Sequence, residues 1–600
     1  MHYTSIENIH KVIDPLFLDD LRAELDEIKE IAVDKTRKDR LKAFQRKLAG
    51  LTFLDPACGS GNFLTETYLS LRKLENEVLR CLTDQISMDL DGIIQVSISQ
   101  FYGVEINDFA VTVAKTALWI AESQMMKETE DVVHMALDFL PLKSYANITE
   151  GNALRLDWES VVPKHKLNYI MGNPPFVGYS LQSKGQKDDI LSIYVDEKGK
   201  PYKTAGKIDY VSGWYFKAAQ LMQGTSIRTA FVSTNSITQG EQVAGVWKPL
   251  YDRFWIHIDF AHRTFRWDSE ASLKAHVHCV IVGFSVAPSR GVKRIYDSER
   301  FQEVTNINAY LMDAPNVFVE SRNHPLCEVP EIVKGSSPVD GGNFFLDEND
   351  YQYFAQKEPE SLKYIKKFLG AKEYLHNIQR WCLWLSGISP SELSAMPMIK
   401  HRVVAVKEFR LASSKAATRK YADYPLRFME LRQPTTDYIL IPRHSSENRK
   451  YIPFGFIDAD VICGDANNML PDATLYHFGI LTSNVHMAWM RAVCGRLEMR
   501  YRYSNDVVYN NFPWPAPTDV QKAKIEQTAQ AILDARALYP DCSLADLYDE
   551  IAMPPELRKA HQQNDRAVMQ AYGFDVGTTT ETSCVAELMK MYQTLTGGNS

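Results

Sequence analysis

Length, composition and charge exclude several classes of protein. The chain has 600 residues, of which 45% are hydrophobic and 24% charged, which predicts several globular domains and excludes a small disulfide-stapled fold or a disordered chain. The net charge of -8 argues against a protein that coats nucleic acid with its whole surface, so any site for a polyanion must be local.

The sequence also predicts a location and the absence of a metal site. No apolar stretch reaches the roughly 18 residues that a membrane-spanning helix needs, and the amino terminus has no apolar run typical of a secretory signal. We therefore expect a cytoplasmic protein. The nine cysteines include no Cys-x-x-Cys pair, so we predict neither a disulfide framework nor a metal site.

The first half of the chain alternates strand patterns with helix patterns. Residues 14–50 have helical spacing of apolar residues, and they precede a short apolar run that ends in a glycine-rich turn. Further strand patterns lie at 101–105, 169–171 and 229–233, separated by helical patterns at 63–82, 109–128 and about 210–223. Strands separated by helices predict a parallel sheet covered on both faces, an α/β fold of the Rossmann-like type.

The remainder of the chain predicts an antiparallel closure of this sheet and two further domains. Residues 254–262 and 276–286 form two strand patterns without an intervening helix, which favours an antiparallel pair at the end of the sheet. Turn-rich, mixed segments then predict an irregular α+β domain, and three prolines within 512–517 predict a boundary before helical patterns resume. The predicted divisions are 1–50, 51–290, 291–515 and 516–600.

A glycine-rich loop follows the first predicted strand, in the segment Asp55-Pro-Ala-Cys-Gly-Ser-Gly-Asn-Phe63. Gly59 and Gly61 let the backbone approach a ligand closely, next to the positive end of the following helix. A third glycine of the dinucleotide-binding pattern would stand at Leu64, so a pyrophosphate cofactor fits poorly. Glu105 ends the next strand, where an acidic side chain accepts hydrogen bonds from ribose hydroxyls in folds of this type.

A second loop, Gly172-Asn-Pro-Pro-Phe-Val-Gly178, follows another predicted strand. The two prolines fix the backbone and lack N–H groups. The side-chain oxygen of Asn173 and the carbonyl of Pro174 could then accept hydrogen bonds from one exocyclic amino group, and Phe176 offers a flat surface to an aromatic base. Each feature alone is ordinary, but the combination with the glycine loop indicates chemistry on a planar amine or amide.

With these motifs the chain resembles the class I S-adenosylmethionine-dependent DNA methyltransferases that act on adenine N6. More narrowly, it resembles the methyltransferase, target-recognition and carboxyl-terminal parts of the MmeI-like type IIL restriction-modification enzymes. Phrases that carry the narrower resemblance include His2-Tyr-Thr-Ser5, Gly151-Asn-Ala-Leu154, Lys207-Ile-Asp209 and Val508-Tyr-Asn-Asn-Phe-Pro-Trp-Pro515. The resemblance covers nearly the whole chain.

The resemblance implies a methyl donor, S-adenosylmethionine, and a set of residues that hold it. The implied cofactor residues are Tyr3, Thr4, Asp55, Ala57, Gly59, Gly61, Asn62, Phe63, Glu105, Asn152 and Ala153. Asn152 departs from the family pattern, because many relatives carry Asp there to accept from the adenine amino group of the cofactor. Asp157 is an alternative acceptor, although a role as a helix cap explains it better.

The resemblance also implies catalytic residues. They are Asn173, Pro174, Pro175 and Phe176. The target base would leave the duplex, stack on Phe176 and donate its amino hydrogens to the two oxygens of the motif. Phe265 or Trp267 in the predicted hairpin could supply a second stacking face, and either could equally belong to the core.

DNA contact is expected in the basic stretch between Lys400 and Lys450, which holds twelve lysines and arginines against five acidic residues. A solvated face is the ordinary explanation of such a segment, but its presence beside a methyltransferase motif favours DNA. The candidate DNA-binding residues are Lys407, Arg410, Lys415, Arg419, Lys420 and Arg443. Arginines 491, 496, 500 and 502 are further candidates.

The expected function is site-specific methylation of adenine N6 in double-stranded DNA, within a restriction-modification or phage-defence system. In bifunctional relatives a nuclease domain precedes the tyrosine-threonine motif, whereas this chain begins at that motif, so we expect no nuclease domain and a separately encoded nuclease as partner. Three alternatives stay open: a methyltransferase of RNA or protein glutamine, a DNA-specificity subunit without catalysis, and a still bifunctional restriction enzyme.

Overall fold

The chain divides into two units, residues 1–318 and 319–600. The computed structural model describes residues 4–82, 93–134, 146–267, 277–287, 291–298 and 300–597. Within these ranges no helix has both the length and the apolar character needed to cross a bilayer.

A nine-stranded sheet lies at the centre of the first unit. Its strands are β1 (Phe53–Asp55), β2 (Phe101–Glu105), β3 (Asn147–Glu150), β4 (Tyr169–Gly172), β5 (Arg228–Thr234), β6 (His257–Trp267), β7 (Val277–Ser285), β8 (Lys293–Asp297) and β9 (Arg300–Val304). They lie in the order β3-β2-β1-β4-β5-β7-β6-β8-β9. The first five are parallel, β7 is antiparallel to both β5 and β6, β8 is parallel to β6, and β9 is antiparallel to β8.

Helices precede the first strand and connect the later ones. They are α1 (Ile6–Ile13), α2 (Asp19–Lys29), α3 (Asp34–Gly50), α4 (Asn62–Leu82), α5 (Asp108–Val133), α6 (Trp158–Val161), α7 (Lys184–Ile193), α8 (Ser212–Leu221) and α9 (Gly240–Phe254). A π-helical turn, Asp14–Leu18, joins α1 to α2. Local sequence explains several starts, since Asn107 caps α5 and Ser183 caps α7 through side-chain oxygens that accept from the first helical turn.

The core beneath the first strands is aromatic. The ring of Phe53 stacks on Phe101 and Tyr169 of the two neighbouring strands, with centroids 5.2 and 5.5 Å apart. Phe17, from the turn between the first two helices, contacts Phe53 with a centroid distance of 5.1 Å. This packing fixes β1, although it is only three residues long, and so fixes the positions at which β1, β2 and β4 end.

The predicted mostly parallel α/β sheet with an antiparallel hairpin is confirmed. The hairpin forms from β6 and β7, but it does not end the sheet, because β8 and β9 continue beyond it. Neither of these strands was predicted, nor was β3. Their sequences, Asn-Ile-Thr-Glu, Lys-Arg-Ile-Tyr-Asp and Arg-Phe-Gln-Glu-Val, are short and mostly polar, so they carry little of the apolar signal by which a strand is recognised.

The second unit contains three small sheets. Its strands are β10 (Val333–Lys334), β11 (Phe345–Leu346), β12 (Ile365–Leu369), β13 (Trp381–Leu383), β14 (Tyr438–Pro442), β15 (His444–Ser445), β16 (Gly455–Ile457), β17 (Ile462–Cys463), β18 (Asn467–Pro471), β19 (Gly495–Leu497) and β20 (Arg500–Arg502). The strand orders are β10-β18-β14-β16, β11-β13-β12-β17 and β15-β20-β19. This mixture agrees with the predicted irregular α+β domain.

Helices surround these sheets and dominate the carboxyl-terminal part. They are α10 (Glu348–Lys357), α11 (Ala371–His376), α12 (Pro390–Ala395), α13 (Pro397–Leu411), α14 (Ala416–Lys420), α15 (Leu475–Leu481), α16 (Asn484–Val493), α17 (Asp519–Ala537), α18 (Leu544–Leu547), α19 (Pro555–Ala571) and α20 (Glu581–Leu595). Residues 512–515 of the proline-rich segment before α17 are buried, and Phe512 packs edge-on against His486 at 4.5 Å. The segment is therefore a packed part of the second unit rather than an exposed linker.

Candidate functional site

The glycine loop follows β1 at the carboxyl edge of the parallel strands. Gly59 and Gly61 have φ angles of +52° and +84°, a region that favours glycine. A Cβ on Gly61 would lie 3.0 Å from the Cβ of Ala114 on α5, whereas one on Gly59 would meet no atom of the described residues within 4 Å. The backbone therefore turns tightly against α5 at Gly61 and borders open space at Gly59.

Glu105 holds this loop from the end of the neighbouring strand. Its carboxylate accepts hydrogen bonds from the backbone N–H of Gly59 and of Asn107, both at 3.0 Å. The indole N–H of Trp214 donates to the carbonyl of Pro56 at 3.0 Å, so a second side chain anchors the start of the loop. The predicted ribose acceptor thus lies directly against the glycine loop.

Asp55 and Gly172 end the adjacent parallel strands β1 and β4. A Cβ on residue 172 would overlap the Oδ1 atom of Asp55, so the absence of a side chain there makes room for the carboxyl group. Asp55 Oδ1 accepts from the backbone N–H of Ala57 at 2.9 Å. Burial, together with a smaller contribution from the charge of Glu105, raises the pKa of Asp55 to about 8.

The Asn-Pro-Pro-Phe motif follows Gly172 directly. The Asn173 amide nitrogen donates to Thr4 Oγ1 at 3.4 Å, while its Oδ1 atom is buried and has no hydrogen-bond partner among the described residues. Pro174 is buried and Pro175 exposed. Phe176 is half-buried, with one part of its ring packed against the core of the first unit. The motif therefore presents a buried acceptor beside a partly exposed aromatic ring.

Asp209 holds the loop that follows this motif. Its carboxylate accepts from the backbone N–H of Tyr179 at 3.0 Å and from the hydroxyl of Ser236. The backbone N–H of Tyr210 donates to the carbonyl of Val177 at 2.9 Å. Sequence reasoning noted Lys207-Ile-Asp209 only as a family phrase and assigned it no role. In the sequence, Asp209 is recognisable only as an isolated acidic residue. That does not reveal that it contacts Tyr179 and Ser236.

The amide of Asn152 lies in a polar network. Its Oδ1 accepts from the backbone N–H of Leu154 at 2.9 Å, and its amide nitrogen donates to Asp189 at 3.1 Å. Asp189 is buried and also accepts from Tyr210 at 2.9 Å and from Arg155 at 2.6 Å. The amide oxygen that was predicted to bind the cofactor thus already accepts one hydrogen bond and retains one free lone pair.

Two neighbours of Asn152 have structural contacts. The carbonyl of Ala153 accepts from the indole N–H of Trp158 at 2.8 Å. Asp157 caps α6, because its carboxylate accepts from the backbone N–H of Glu159 at 3.0 Å. The capping role expected for Asp157 is therefore present.

The other predicted cofactor residues lie at the start of α4 or outside the described residues. Asn62 is the first residue of α4, and its side-chain oxygen accepts from the hydroxyl of Ser60 at 3.1 Å. Phe63 is buried in the core. Tyr3 lies outside the described residues.

Two exposed apolar side chains beside Glu105 were missed by sequence reasoning. Ile106 is 68% exposed and directly follows β2, and Phe109 is 67% exposed in the first turn of α5. The sequence feature that could have revealed this surface is Ile106, an apolar residue directly after the acidic residue that ends β2. Large exposed apolar groups next to a glycine loop indicate a surface that a planar ligand could cover.

Of the two candidates for a second stacking face, only Phe265 can be described. Its ring is half-buried against the core, and the ammonium of Lys11 lies 5.2 Å from its centroid. The side chain of Trp267 lies outside the described residues.

Most of the predicted DNA-binding residues are on the surface of the second unit. Lys407, Lys415, Arg419 and Lys420 are exposed. Arg419 donates to the carbonyls of Ser413 and Ser414, both at 2.8 Å. Arg443 is half-buried and donates to the carbonyl of Asp465 at 3.0 Å.

Arg410 is a correction to the predicted set. Its side chain is fully buried, and its guanidinium donates only to backbone carbonyls. The acceptors are Val339 at 3.0 Å, Tyr421 at 3.4 Å, Tyr424 at 2.9 Å, Pro338 at 2.8 Å and Arg427 at 2.7 Å. A buried cation with its donors engaged in this way connects chain segments, so Arg410 has a structural role and is removed from the candidate DNA contacts.

The arginines between 491 and 502 divide similarly. Arg491 forms a two-point ion pair with Glu581, with distances of 2.7 and 2.9 Å. Arg500 and Arg502 are exposed on β20, and Arg496 on β19 lies over the ring of Tyr501 at 4.6 Å. Arg500 donates to Glu498 of the same hairpin at 3.1 Å. The β19–β20 hairpin thus carries three arginines against one acidic residue, whereas Arg491 joins α16 to α20.

The sheet order, with the glycine loop and the Asn-Pro-Pro-Phe loop at one sheet edge, is the architecture of the class I methyltransferase fold. Family models give the narrower relationship. The model described as the DNA-methyltransferase domain of MmeI matches residues 30–297, that of the MmeI target recognition domain matches 313–516, and that of the MmeI C-terminal domain matches 517–598. The chain belongs to the MmeI family, as the resemblance of its motifs predicted.

Individual relatives agree with this assignment. The solved structure of the type IIL restriction-modification enzyme MmeI in complex with DNA is 46% identical, with a TM-score of 0.89, and the match covers 99% of this chain and 79% of that chain. DNA methyltransferase A of Bacillus subtilis (strain 168) is 39% identical over 599 residues, which is 99% of this chain and 66% of that protein.

A shorter match joins the chain to a putative type II restriction enzyme and methyltransferase of Methanocaldococcus jannaschii. It is 32% identical over 118 residues, which is 19% of this chain and 10% of that protein. The chain thus spans less than two thirds of the length of the curated relatives it matches. The predicted domain limits at 290 and 515 stay predictions beside the limits of the family models.

Proposed function

We propose that the chain is a site-specific DNA methyltransferase that transfers a methyl group from S-adenosylmethionine to adenine N6 in double-stranded DNA. The observation that carries the proposal is the buried Oδ1 atom of Asn173, which has no hydrogen-bond partner in the described part of the chain, beside the half-buried ring of Phe176. A buried acceptor without a partner costs free energy, and an amino group of an inserted base would satisfy it. Membership of the MmeI family supports DNA as the source of that base.

The residues at the carboxyl edge fit a methyl donor of this kind. Gly59 borders open space and Gly61 turns the backbone tightly against α5, while the carboxylate of Glu105 has lone pairs left for ribose hydroxyls. Asp55, once ionised, would attract the positive charge of the donor. Ile106 and Phe109 would cover an adenine ring.

The chain's own groups would act by positioning. Asn173 Oδ1 and the carbonyl of Pro174 would accept the two amino hydrogens of the target base, and Phe176 would stack on its ring. These contacts would direct the nitrogen lone pair out of the ring plane and compensate the cost of unstacking the base. When bound, S-adenosylmethionine would supply an electrophilic methyl carbon on a sulfonium, whose sulfur is the leaving group. The amino proton then leaves to solvent, so no strong base is required.

We propose that the second unit selects the DNA site. Exposed Lys407, Lys415 and Lys420 would contact phosphates. The exposed arginines of the β19–β20 hairpin could donate hydrogen bonds to the acceptor atoms at the edge of a guanine base. Within this division, substitution of a phosphate contact would weaken binding to all sequences, and substitution of a base contact would relax the choice of site.

The biological role that we propose is modification within a restriction-modification system. The similar solved structure is that of a restriction-modification enzyme. Methylation of adenine N6 would protect the recognised site from a nuclease of the same specificity, which a separate chain would supply.

The test is single-molecule sequencing of DNA from cells that lack adenine methylation and express the protein. We expect N6-methyladenine at one recurring sequence. Asn173→Ala should remove the modification while S-adenosylmethionine binding, measured calorimetrically, is retained. Asn173→Asp is the matched variant, because it keeps an acceptor and should keep part of the activity. DNA without the modification in cells that express the intact protein, or normal modification by Asn173→Ala, would refute the proposal.

A further inference from the structure

The loop that follows the catalytic motif, residues 177–182, carries two exposed apolar side chains. We call it the wedge loop. Leu181 is 81% exposed and Tyr179 is 44% exposed, although the loop begins directly after Phe176. A large apolar side chain exposed beside a site for an aromatic base indicates a surface that becomes covered when substrate binds.

Hydrogen bonds hold the wedge loop rigidly at its base. The backbone N–H of Tyr179 donates to Asp209, and that of Leu181 donates to the carbonyl of Gly178 at 2.9 Å. Gln182 is buried and donates to the carbonyl of Ile208 at 2.9 Å. The tip residues are therefore presented to solvent by a braced backbone, which reduces the conformational entropy that insertion would cost.

Positive charge lies next to this apolar tip. Lys184 and Lys187 are exposed in the first turns of α7, whose amino terminus adds partial positive charge. An apolar tip flanked by cations is complementary to duplex DNA, which offers stacked bases between two rows of phosphates.

We propose that Leu181 enters the base stack of duplex DNA and occupies the space that the target base leaves, with Tyr179 packed against the neighbouring base. This inference rests on the proposed function, because it requires a base to leave the duplex. Leu181 then stabilises the open duplex, while Asn173 and Phe176 bind the base that has left it. Asp209 is a positioning residue that acts through the backbone of the wedge loop.

The test compares two DNA duplexes that carry the sequence identified by single-molecule sequencing. In one the target adenine faces thymine, and in the other it faces an abasic site, so that little pairing has to be broken. Single-turnover methylation with labelled S-adenosylmethionine is measured for Leu181→Ala and Leu181→Gln. We expect about a tenfold or larger loss on the paired duplex and recovery to near the unsubstituted rate on the abasic duplex, because pairing is what the wedge helps to break.

Ile120→Ala is the matched control, because Ile120 is a 53% exposed apolar residue of α5 outside the wedge loop. It should change neither rate. Equal rates of Leu181→Ala and the unsubstituted protein on the paired duplex would overturn the inference, and so would an equal loss on both duplexes, which indicates general damage to the site. If the unsubstituted protein methylates neither duplex, the proposed function itself fails and the inference fails with it.

Discussion

The amide nitrogen of Asn173 lies 3.4 Å from Thr4 Oγ1, a contact between residues 169 positions apart. Thr4 is buried, so its hydroxyl is a fixed acceptor for the amide. Because the nitrogen of Asn173 is engaged there, the oxygen is left as the free end of the amide. The amino-terminal motif thus sets the orientation of a side chain in the proposed catalytic loop.

Substitution of Thr4 should lower the rate of methyl transfer more than substrate binding. In Thr4→Val the amide of Asn173 loses its partner and samples other orientations, and the loss of one hydrogen bond of about 1 kcal/mol corresponds to about a fivefold fall in kcat. Thr4→Ser keeps the hydroxyl and should keep the rate. Steady-state kinetics on the identified DNA site measure both. A fall in Thr4→Ser equal to that in Thr4→Val would contradict this orientation role.

Affinity for S-adenosylmethionine should rise with pH through the ionisation of Asp55. Burial raises the pKa of this carboxyl from 3.8 to about 8, so the group is largely protonated at pH 6.5 and largely ionised at pH 9. An ionised carboxyl attracts a cationic ligand, so we expect affinity to increase by about tenfold across this range. Calorimetry at several pH values measures the change, and Asp55→Asn should show a flatter profile. A profile that Asp55→Asn leaves unchanged would assign the titration to another group.

Stability of the first unit should fall between pH 6.5 and pH 9 because of His10. Its ring contacts Asp14 at 2.8 Å and Glu66 at 3.1 Å, and these hydrogen bonds raise its pKa to about 9. A raised pKa means that the stabilisation is complete below the ordinary value of 6.5 and is lost as the pH rises through 9. We expect a loss of about 1 kcal/mol after allowance for partial exposure. His10→Gln should remove this part of the pH dependence in thermal unfolding, and an unaltered slope would contradict the assignment.

Arg410 and Lys407 lie on the same helix, but we expect substitution of Arg410 to lower stability and substitution of Lys407 to lower DNA affinity. Arg410→Met leaves several buried carbonyls without a donor, so we expect the second unit to lose about 3–5 kcal/mol of stability. Lys407→Ala should change stability by less than about 0.5 kcal/mol but weaken DNA binding at low salt more than at high salt. Chemical unfolding and binding titrations measure the two effects. A stable Arg410→Met variant with weaker DNA binding would return Arg410 to the DNA-binding set.

The parts of the fold that sequence predicted are those with a strong local signal. Short apolar runs that alternate with helical patterns identified β1, β2 and β4, and the absence of a helical pattern between β6 and β7 identified the hairpin. Strands β8 and β9 pair with each other as a hairpin, but both are mostly polar, so no apolar pattern indicated them.

The residues of the candidate site likewise differ in how far the local sequence could predict their roles. The two loops were identified from their own residues, whereas the role of Asp209 depends on Tyr179 and Ser236, which only the fold brings to it. Arg410 and Lys407 are both cations within one basic stretch, and sequence could not distinguish them because burial is set by which face of α13 packs inward. The exposure of Leu181 is likewise a property of the folded loop.

Both oxygens of Glu105 already accept backbone hydrogen bonds, from Gly59 and Asn107. Glu105, the proposed acceptor for a ribose, therefore also stabilises the neighbouring glycine loop. The loop is preorganised before a ligand binds. Ligand binding should then cost little conformational entropy of this loop. A loss of ligand affinity after substitution of Glu105 would therefore combine two effects, the loss of a direct hydrogen bond and a change in the conformation of the glycine loop.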